Sequence, residues 1–242
     1  MLKDNIFRDD HIIFEDDSIV IVNKPFGMLS CKDKKGIDID LYTIIKEKTD
    51  SKDLSIINRL DRGVGGIVIF SKNNNSTTIL TEYMKNHIFK KGYLAIVCGI
   101  AKHEDNLVNF IMKNQRQNIS KIVNKNSSGA KEARLSYKKL EQIEIDNNIY
   151  SLLDISLETG RHHQIRVQMA NVNLPLYNDI KYNKNVKRKI GNGNIGLFCY
   201  KMGLNHPITN EYLEFVILPK NEEMFKNFYK VIDLLYIKED TL

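Results

Sequence analysis

Apolar positions along this chain fall mostly in short blocks broken by polar turns. Ile12–Phe14 and Ile19–Val22 are β-branched or aromatic runs separated by Glu-Asp-Asp-Ser, which predicts a hairpin. Pro25 and Gly27 end its second strand. Leu41, Ile44 and Ile45 recur at helical spacing, with Asp38 or Asp40 as N-cap. "GGIVIFSK" reads as a short, fully apolar strand. Behind Ser76 as N-cap, Leu80, Tyr83, Met84, His87 and Ile88 line one face of a second helix. His87 there is a core-edge residue rather than a ligand. "YLAIVCG" is a strand turned by Gly99, and "ARLSYKKL" and "YSLLDISL" are two more. After the Thr159-Gly160 turn, Ile165, Met169 and Val172 mark a third helix. "LFCYKMGLNHP" and "EYLEFVILP" are strands, and Phe225, Phe228, Ile232 and Leu235 mark a closing amphipathic helix.

Strands in adjacent runs with a few helices between them predict an α+β fold. Its sheet is mixed but largely antiparallel, with flanking helices, and does not repeat βαβ units. No internal repeat or long linker divides the chain, so residues 1–242 are expected to form one domain. Hydrophobic residues at 42% and charged residues at 27% suit a soluble globular protein with its own core. Cys31, Cys98 and Cys199 are far apart and form no C-x-x-C pair, which argues against zinc knuckles and a disulfide framework. Cys98 reads as a small core residue. The charged N-terminus has no apolar signal core, and no run approaches the ~20 residues that span a bilayer. A cytoplasmic protein is expected.

Charge adds a candidate partner. The net charge is +6. Between Asn109 and Lys131 lie Lys113, Arg116, Lys121, Lys125 and Lys131 with no acid before the last of them. Lys181, Lys184, Lys187, Arg188 and Lys189 form a second acid-free stretch. Both are rich in Asn or Gly without a clear apolar period, so they read as mobile basic loops suited to phosphate contact.

The stretch "INRLDRGVGGIVIFSK" places Asp61 between Arg59 and Arg62, ahead of Gly63, Gly65 and Gly66. Such a carboxylate is either a surface ion pair or a group kept ionised, since a neighbouring Arg lowers an Asp pKa by ~1–3 units. An ionised carboxylate can serve as a nucleophile or base. His162 and His163 are adjacent, so they do not share a helix face as i, i+4 metal ligands do. Arg161 and Arg166 could bind phosphate or pair with Asp61. No Walker A, G-x-G-x-x-G or G-x-S-x-G sequence occurs, so nothing implies an organic cofactor.

Together these pieces resemble the RluA family of pseudouridine synthases. "INRLDRGVGGIVIFSK" is similar to its H-R-L-D-x-x-T-S-G-x-x-x-x-A-K, and "KKGYLAIVCG" to its K-x-Y-x-A-x-V-x-G. "LETGRHHQIRVQMANVNLPLYNDIKY" resembles its T-G-R-x-H-Q-I-R-V-H-L-A followed by G-x-P-I-x-G-D-x-x-Y. The motifs fall in the family's order over about residues 10–215. The resemblance implies a pseudouridine synthase fold with an RNA cleft across the sheet. It also implies isomerisation of a uridine in ribosomal or transfer RNA by base flipping, with no cofactor and no metal. Asp61 would be the catalytic carboxylate, Tyr93 would stack on the uracil, and Arg166 would hold Asp61 ionised. Arg59 would fill the space left by the flipped nucleotide. Arg62, Arg161, His163, Gln164, Lys121 and Lys181 are expected to contact RNA, and the glycines to let the backbone approach the nucleotide. RNA is the expected partner of a monomer.

The chain departs from the pattern at several places. Asn58 stands for the usual His, Val64 and Gly65 for Thr-Ser, His162 for Thr, Gln168 for His, and Asn178 for the Gly before Asp179. About ten residues precede the first strand, so the small RNA-binding domain that often leads this family is expected to be absent. A non-catalytic RNA-binding protein built on a decayed synthase is the alternative, but intact Asp61, Tyr93 and Arg166 argue against it. A metal-dependent hydrolase using the two histidines is a weaker one.

Overall fold

A computed structural model of the chain describes residues 7–32, 39–186 and 193–237. In chain order the elements are β1 (Ile12–Glu15), β2 (Ile19–Lys24), α1 (Leu41–Thr49), β3 (Ser55–Ile56), β4 (Gly65–Ser71), α2 (Asn74–Lys85) and β5 (Lys90–Cys98). Then come β6 (Glu104–Asn114), β7 (Ile119–Val123), β8 (Lys131–Ile145), β9 (Asn148–Leu157), α3 (Gln164–Asn171), β10 (Leu197–Asn205), β11 (Tyr212–Val216) and α4 (Tyr229–Ile237). Strands outnumber helices and adjoin one another, as the α+β reading expects. Two compact units form. One falls within Met1–Lys90 and Cys199–Ile217, the other within Lys91–Phe198 and Leu218–Leu242.

In the first unit the strand order is β1-β2-β4-β10, with β3 on β4 and β11 on β10. The Asp16 carboxylate closes the β1–β2 hairpin by accepting from the backbone N–H groups of Ser18 and Ile19 at 2.7 and 2.8 Å. Asp40, fully buried, caps α1 by accepting from Thr43 N at 3.1 Å and Thr43 Oγ1 at 2.7 Å. Asp38, the other candidate cap, lies outside the described residues. The cap of α2 is Asn73 rather than Ser76: its side chain accepts from Ser76 N at 2.9 Å, and Ser76 is buried inside the first turn. The helix stops at Lys85, and His87 turns left-handed at φ 58°, ahead of buried Phe89, which precedes β5. His87 is therefore exposed beyond the helix rather than on its core edge.

All seven residues of β4 are buried, which fits its unbroken apolar run. Gly66 has φ +115°, and a Cβ there would lie 2.2 Å from the carbonyl oxygen of Cys199 on β10. This glycine makes room for a neighbouring strand, where the resemblance expects approach to a nucleotide.

In the second unit the order is β5-β9-β8-β6-β7, antiparallel throughout. Asp146 and Asn147, at φ 50° and 58°, make the two-residue turn that joins β8 to β9. The first basic stretch is not a loop. Residues 110–114 of β6 pair with 119–123 of β7, so Lys113, Arg116 and Lys121 ride on a hairpin with its tip at residues 115–118, while Lys125 lies in the connection to β8 and Lys131 opens that strand. Polar residues on the outer face hid the strand period, while Ile111 and Ser120 are buried on the inner face. Lys181 and Lys184 of the second stretch are exposed; Lys187, Arg188 and Lys189 lie outside the described residues.

Helix α3 begins at Gln164 and lays Val167 against Ile111 of β6 and Ala133 of β8, flanked by Ile122 and Tyr182. The C-terminal segment opens as a 3-10 helix over Glu223–Phe228 before α4, where the sequence predicts one continuous helix. Phe225, Phe228 and Ile232 are buried as expected, and Leu235 is half-buried. Cys98 is half-buried at the end of β5, beside the Asn183 amide at 3.4 Å, and burial pushes its thiol pKa up. Among the described residues, no helix is long and apolar enough to cross a membrane.

Candidate functional site

The first unit carries Asp61 on the turn that feeds β4. That turn is closed by a backbone bond from Val64 N to Asp61 O at 3.0 Å. Ser30 fixes the residue before it: the Leu60 N–H donates to Ser30 Oγ at 3.1 Å, and Ser30 Oγ donates to Leu60 O at 2.8 Å. Arg62 fixes the residue after it. Gly27 N donates to Arg62 O and Arg62 Nε donates to Gly27 O, both at 2.9 Å. Gly27 takes φ +81°, a conformation glycine reaches without steric cost. The segment after β2 and the turn at Asp61 are thus tied together on both sides of the carboxylate. Arg59 is exposed, with Nη1 4.0 Å from Cys31 Sγ.

Asn58 belongs to the same scaffold. Its amide donates to Ile67 O at 3.1 Å, and its Oδ1 accepts from Ile69 N at 2.8 Å. This side chain pairs with β4 as a backbone would, which accounts for an amide at a position where the family has His.

Lys24 ends β2, and sequence reasoning passed it over. It is fully buried, with Nζ donating to Pro25 O at 3.0 Å and Met28 O at 2.9 Å. Burial lowers its pKa from 10.5 to about 7; the Asp61 charge raises it and the Arg62 charge lowers it. The only clue in sequence was a lysine closing an apolar strand just before a proline.

This lysine predicts a pH dependence of stability. The folded chain releases the Lys24 proton near pH 7, the unfolded chain near 10.5. Across that window the unfolded state binds more protons, so the lysine's contribution to stability rises with pH. The slope is at most about 1.4 kcal/mol per pH unit, and it vanishes once pH falls well below the folded value. Denaturant unfolding of the wild type and Lys24→Met at pH 7 and pH 9 checks this. The free-energy difference between them should move in favour of the wild type at the higher pH. A constant difference would show that Lys24 titrates normally.

The second unit carries Tyr93 and Arg166. Tyr93 is buried on β5, opposite Ile155 of β9. Arg166 projects from the first turn of α3 and is also buried. Its Nε and Nη2 each donate at 2.7 Å to the two oxygens of Asp179, a carboxylate with no exposed surface. The guanidinium also lies 5.1 Å over the Tyr182 ring. Asp179 holds Arg166, and sequence reasoning did not single it out; its signal was the second half of the third motif. Asn178 before it takes φ 59°, a conformation open to glycine and tolerated by Asn, which explains that departure.

Around Arg166 the motif is braced internally. Gln164 Oε1 accepts from Thr159 Oγ1 at 2.8 Å and Arg161 N at 2.9 Å, while its Nε2 donates to Arg134 O at 3.1 Å. Arg161 Nε donates to Glu132 O at 2.8 Å. Gln168 is fully buried and donates to Leu107 O and Ala133 O at 3.2 Å and to Asn109 Oδ1 at 2.9 Å. His163 is buried, with Nδ1 2.9 Å from the Tyr182 hydroxyl. Burial pushes that phenol's pKa up, so it keeps its proton. Of the expected RNA contacts, Arg59, Arg62, Lys121 and Lys181 are exposed, Arg161 is half-buried, and His163 and Gln164 are buried.

Among the described residues, no cluster of His, Cys, Asp or Glu is arranged to hold a metal ion. A cavity of about 590 Å³ in the second unit, walled by Ile143, Tyr150, Tyr177 and Phe228, includes none of the candidate site residues.

The family described as RNA pseudouridylate synthase matches residues 18–171. A tRNA pseudouridine synthase C of Yersinia pestis is 28% identical over 217 residues, covering 84% of this chain and 83% of the relative. A Bacillus subtilis protein named uncharacterized RNA pseudouridine synthase YlyB is 28% identical over 232 residues, covering 92% and 74%. The solved structure of human RNA pseudouridylate synthase domain containing 4 superposes with a TM-score of 0.69 over 93% of both chains at 19% identity, a likeness of fold. With its three motifs in order and its fold shared, the chain belongs to the RNA pseudouridylate synthase family.

Proposed function

We propose that the protein isomerises a specific uridine of transfer or ribosomal RNA to pseudouridine, in the cytoplasm and as a monomer. Relatives named for transfer RNA and for the large ribosomal subunit both support the substrate class. The observation that carries the reading is the fixed carriage of Asp61. A carboxylate on a turn pinned by Ser30 and Arg62, with the Lys24 ammonium among its electrostatic neighbours, is preorganised to act on a ligand.

In this reading both units serve one catalytic domain. The target nucleotide leaves its stack at a cost of a few kcal/mol. Asp61 adds to it, at the ribose or at the ring, the bond between N1 and the ribose C1′ breaks, and the uracil turns over. A bond from C5 to C1′ forms, the bond to the Asp61 oxygen breaks to return the carboxylate, C5 loses its proton and N1 gains one. Substrate and product are isomers, so no oxidant or reductant is consumed. Tyr93 stacks on the uracil, Arg166 keeps the carboxylate charged, and Arg59 takes the vacated space. Arg62, Arg161, Lys121 and Lys181 hold RNA phosphates, while buried His163 and Gln164 support that surface from beneath.

Tritium release from RNA transcripts labelled at uracil C5 tests the reaction. Release in the presence of EDTA, with a pseudouridine mapped at one position, is the expected result. Tight RNA binding without release from transfer or ribosomal transcripts would favour a non-catalytic binding protein.

A further inference from the structure

His162 stands where the family commonly has Thr, and neither metal binding nor the proposed chemistry uses it. Its ring stacks on His163 with centroids 3.8 Å apart and planes 25° apart. Both of its ring nitrogens meet the β6–β7 hairpin: Nδ1 is 2.9 Å from Ser120 Oγ, and Nε2 is 3.0 Å from Asn118 Oδ1.

Donor and acceptor accounting decides what these contacts are. Ser120 Oγ also lies 2.6 Å from the backbone oxygen of His162. Two oxygens that close need a proton between them, and a carbonyl has none, so the serine hydrogen points at the carbonyl. Toward Nδ1 the serine oxygen can then only accept, and Nδ1 must carry hydrogen. The Asn118 Oδ1 is likewise an acceptor, so Nε2 must carry hydrogen too. A ring that donates from both nitrogens is an imidazolium. Its stacking partner His163 has Nδ1 2.9 Å from Tyr182 Oη, an oxygen that also accepts from Ser120 N at 2.6 Å. This ties the lower ring of the stack to the same hairpin.

We infer that His162, as an imidazolium, is a positioning residue that latches the basic β6–β7 hairpin to the start of α3. The inference rests on the RNA-modifying function proposed above. The hairpin carries exposed Lys113 on β6 and exposed Arg116 at its tip, and α3 carries Arg166. Lys181 clamps the same tip, with Nζ 2.9 Å from Asn118 O. Other charged or titratable groups around the pair are Arg161 and Arg166 on its own segment, Lys121 beside Ser120 on β7, and Asp179 and Tyr182 on the segment behind His163. Loss of the proton costs the ring one of its two donations and frees the hairpin to move on the helix. The hairpin's grip on RNA phosphates should therefore weaken as pH rises through the titration of His162.

Two-dimensional ¹H–¹⁵N spectra of the imidazoles in the full chain test the charge without any reference to activity. The expected result is both His162 nitrogens in the imidazolium range at pH 6, with the titration midpoint moved up in Asn118→Asp. A neutral Nδ1–H tautomer at pH 6, with Nε2 accepting from the Asn118 amide, would overturn the inference. An unmoved midpoint in Asn118→Asp would do the same. The functional arm uses His162→Phe, which keeps the stack and removes both donors. On RNA substrate its KM should rise at least about ten-fold at pH 6, since two charge-assisted hydrogen bonds are lost and even one is worth that much, with kcat within about two-fold of wild type. That KM penalty should shrink at pH 8. A pH-independent penalty, or a loss in kcat alone, would leave His162 a packing residue. Failure of the wild type to act on RNA would count against the proposed function and leave the spectra to judge the latch.

Discussion

Replacing Asp61 with Asn is expected to lower pseudouridine formation more than ~10⁴-fold, the scale of losing a group that reacts with substrate. The substitution keeps the shape of the side chain and removes its charge and nucleophilicity. The turn that carries it is held by Val64 N donating to Asp61 O, by Gly27 N donating to Arg62 O and by Arg62 Nε donating to Gly27 O, none of which involves the carboxylate. RNA affinity should therefore stay near wild type, and the melting temperature should fall only by as much as the lost attraction between Asp61 and Lys24. Single-turnover kinetics, a filter-binding titration and a thermal melt on the same preparation separate these effects. Residual activity within ten-fold of wild type would remove Asp61 from the chemistry. A collapse in melting temperature would instead make it part of the scaffold.

Asp179→Ala should have the largest effect on stability. It leaves the Arg166 guanidinium buried without the carboxylate that takes two of its donors at 2.7 Å. Breaking a buried pair by removing one partner costs about 3–5 kcal/mol, because the remaining charge stays desolvated. For a chain of this size that is a fall in Tm of roughly 10 °C. The double substitution Arg166→Met with Asp179→Leu should recover much of that loss, since an apolar pair carries no desolvation penalty. Denaturant unfolding of Arg166→Met, Asp179→Leu and the double gives the coupling directly. Additive losses would mean that the pair contributes nothing beyond its two members. In the proposed function, Asp179→Ala also loses activity at temperatures where it remains folded, because the orientation of Arg166 is no longer fixed.

The reach of sequence reasoning differs between elements for physical reasons. β4 and α1 were legible because their signals are local. An unbroken apolar run has no face left for solvent, and Asp40 sits one residue before the first helical turn it caps. The three motifs were legible because the order and spacing of Asp61, Tyr93 and Arg166 are carried by the chain itself. The β6–β7 hairpin was not, because its outward residues are polar or basic and its inward ones include Ser120, which erases the alternation. The role of Gly66 was hidden for another reason: the backbone it admits, at Cys199, is more than a hundred residues away.

The sequence by itself therefore determined the α+β class and the family, and singled out Asp61 as the carboxylate proposed to react, all from short, ordered stretches. The tertiary structure alone decided which groups tune and hold them. It buried Lys24, paired Arg166 with Asp179, turned Asn58 into a backbone surrogate, and set His162 between two acceptors of a hairpin. Charge state and hydrogen-bond direction depend on burial and on partners distant in sequence, and only the folded chain brings those together.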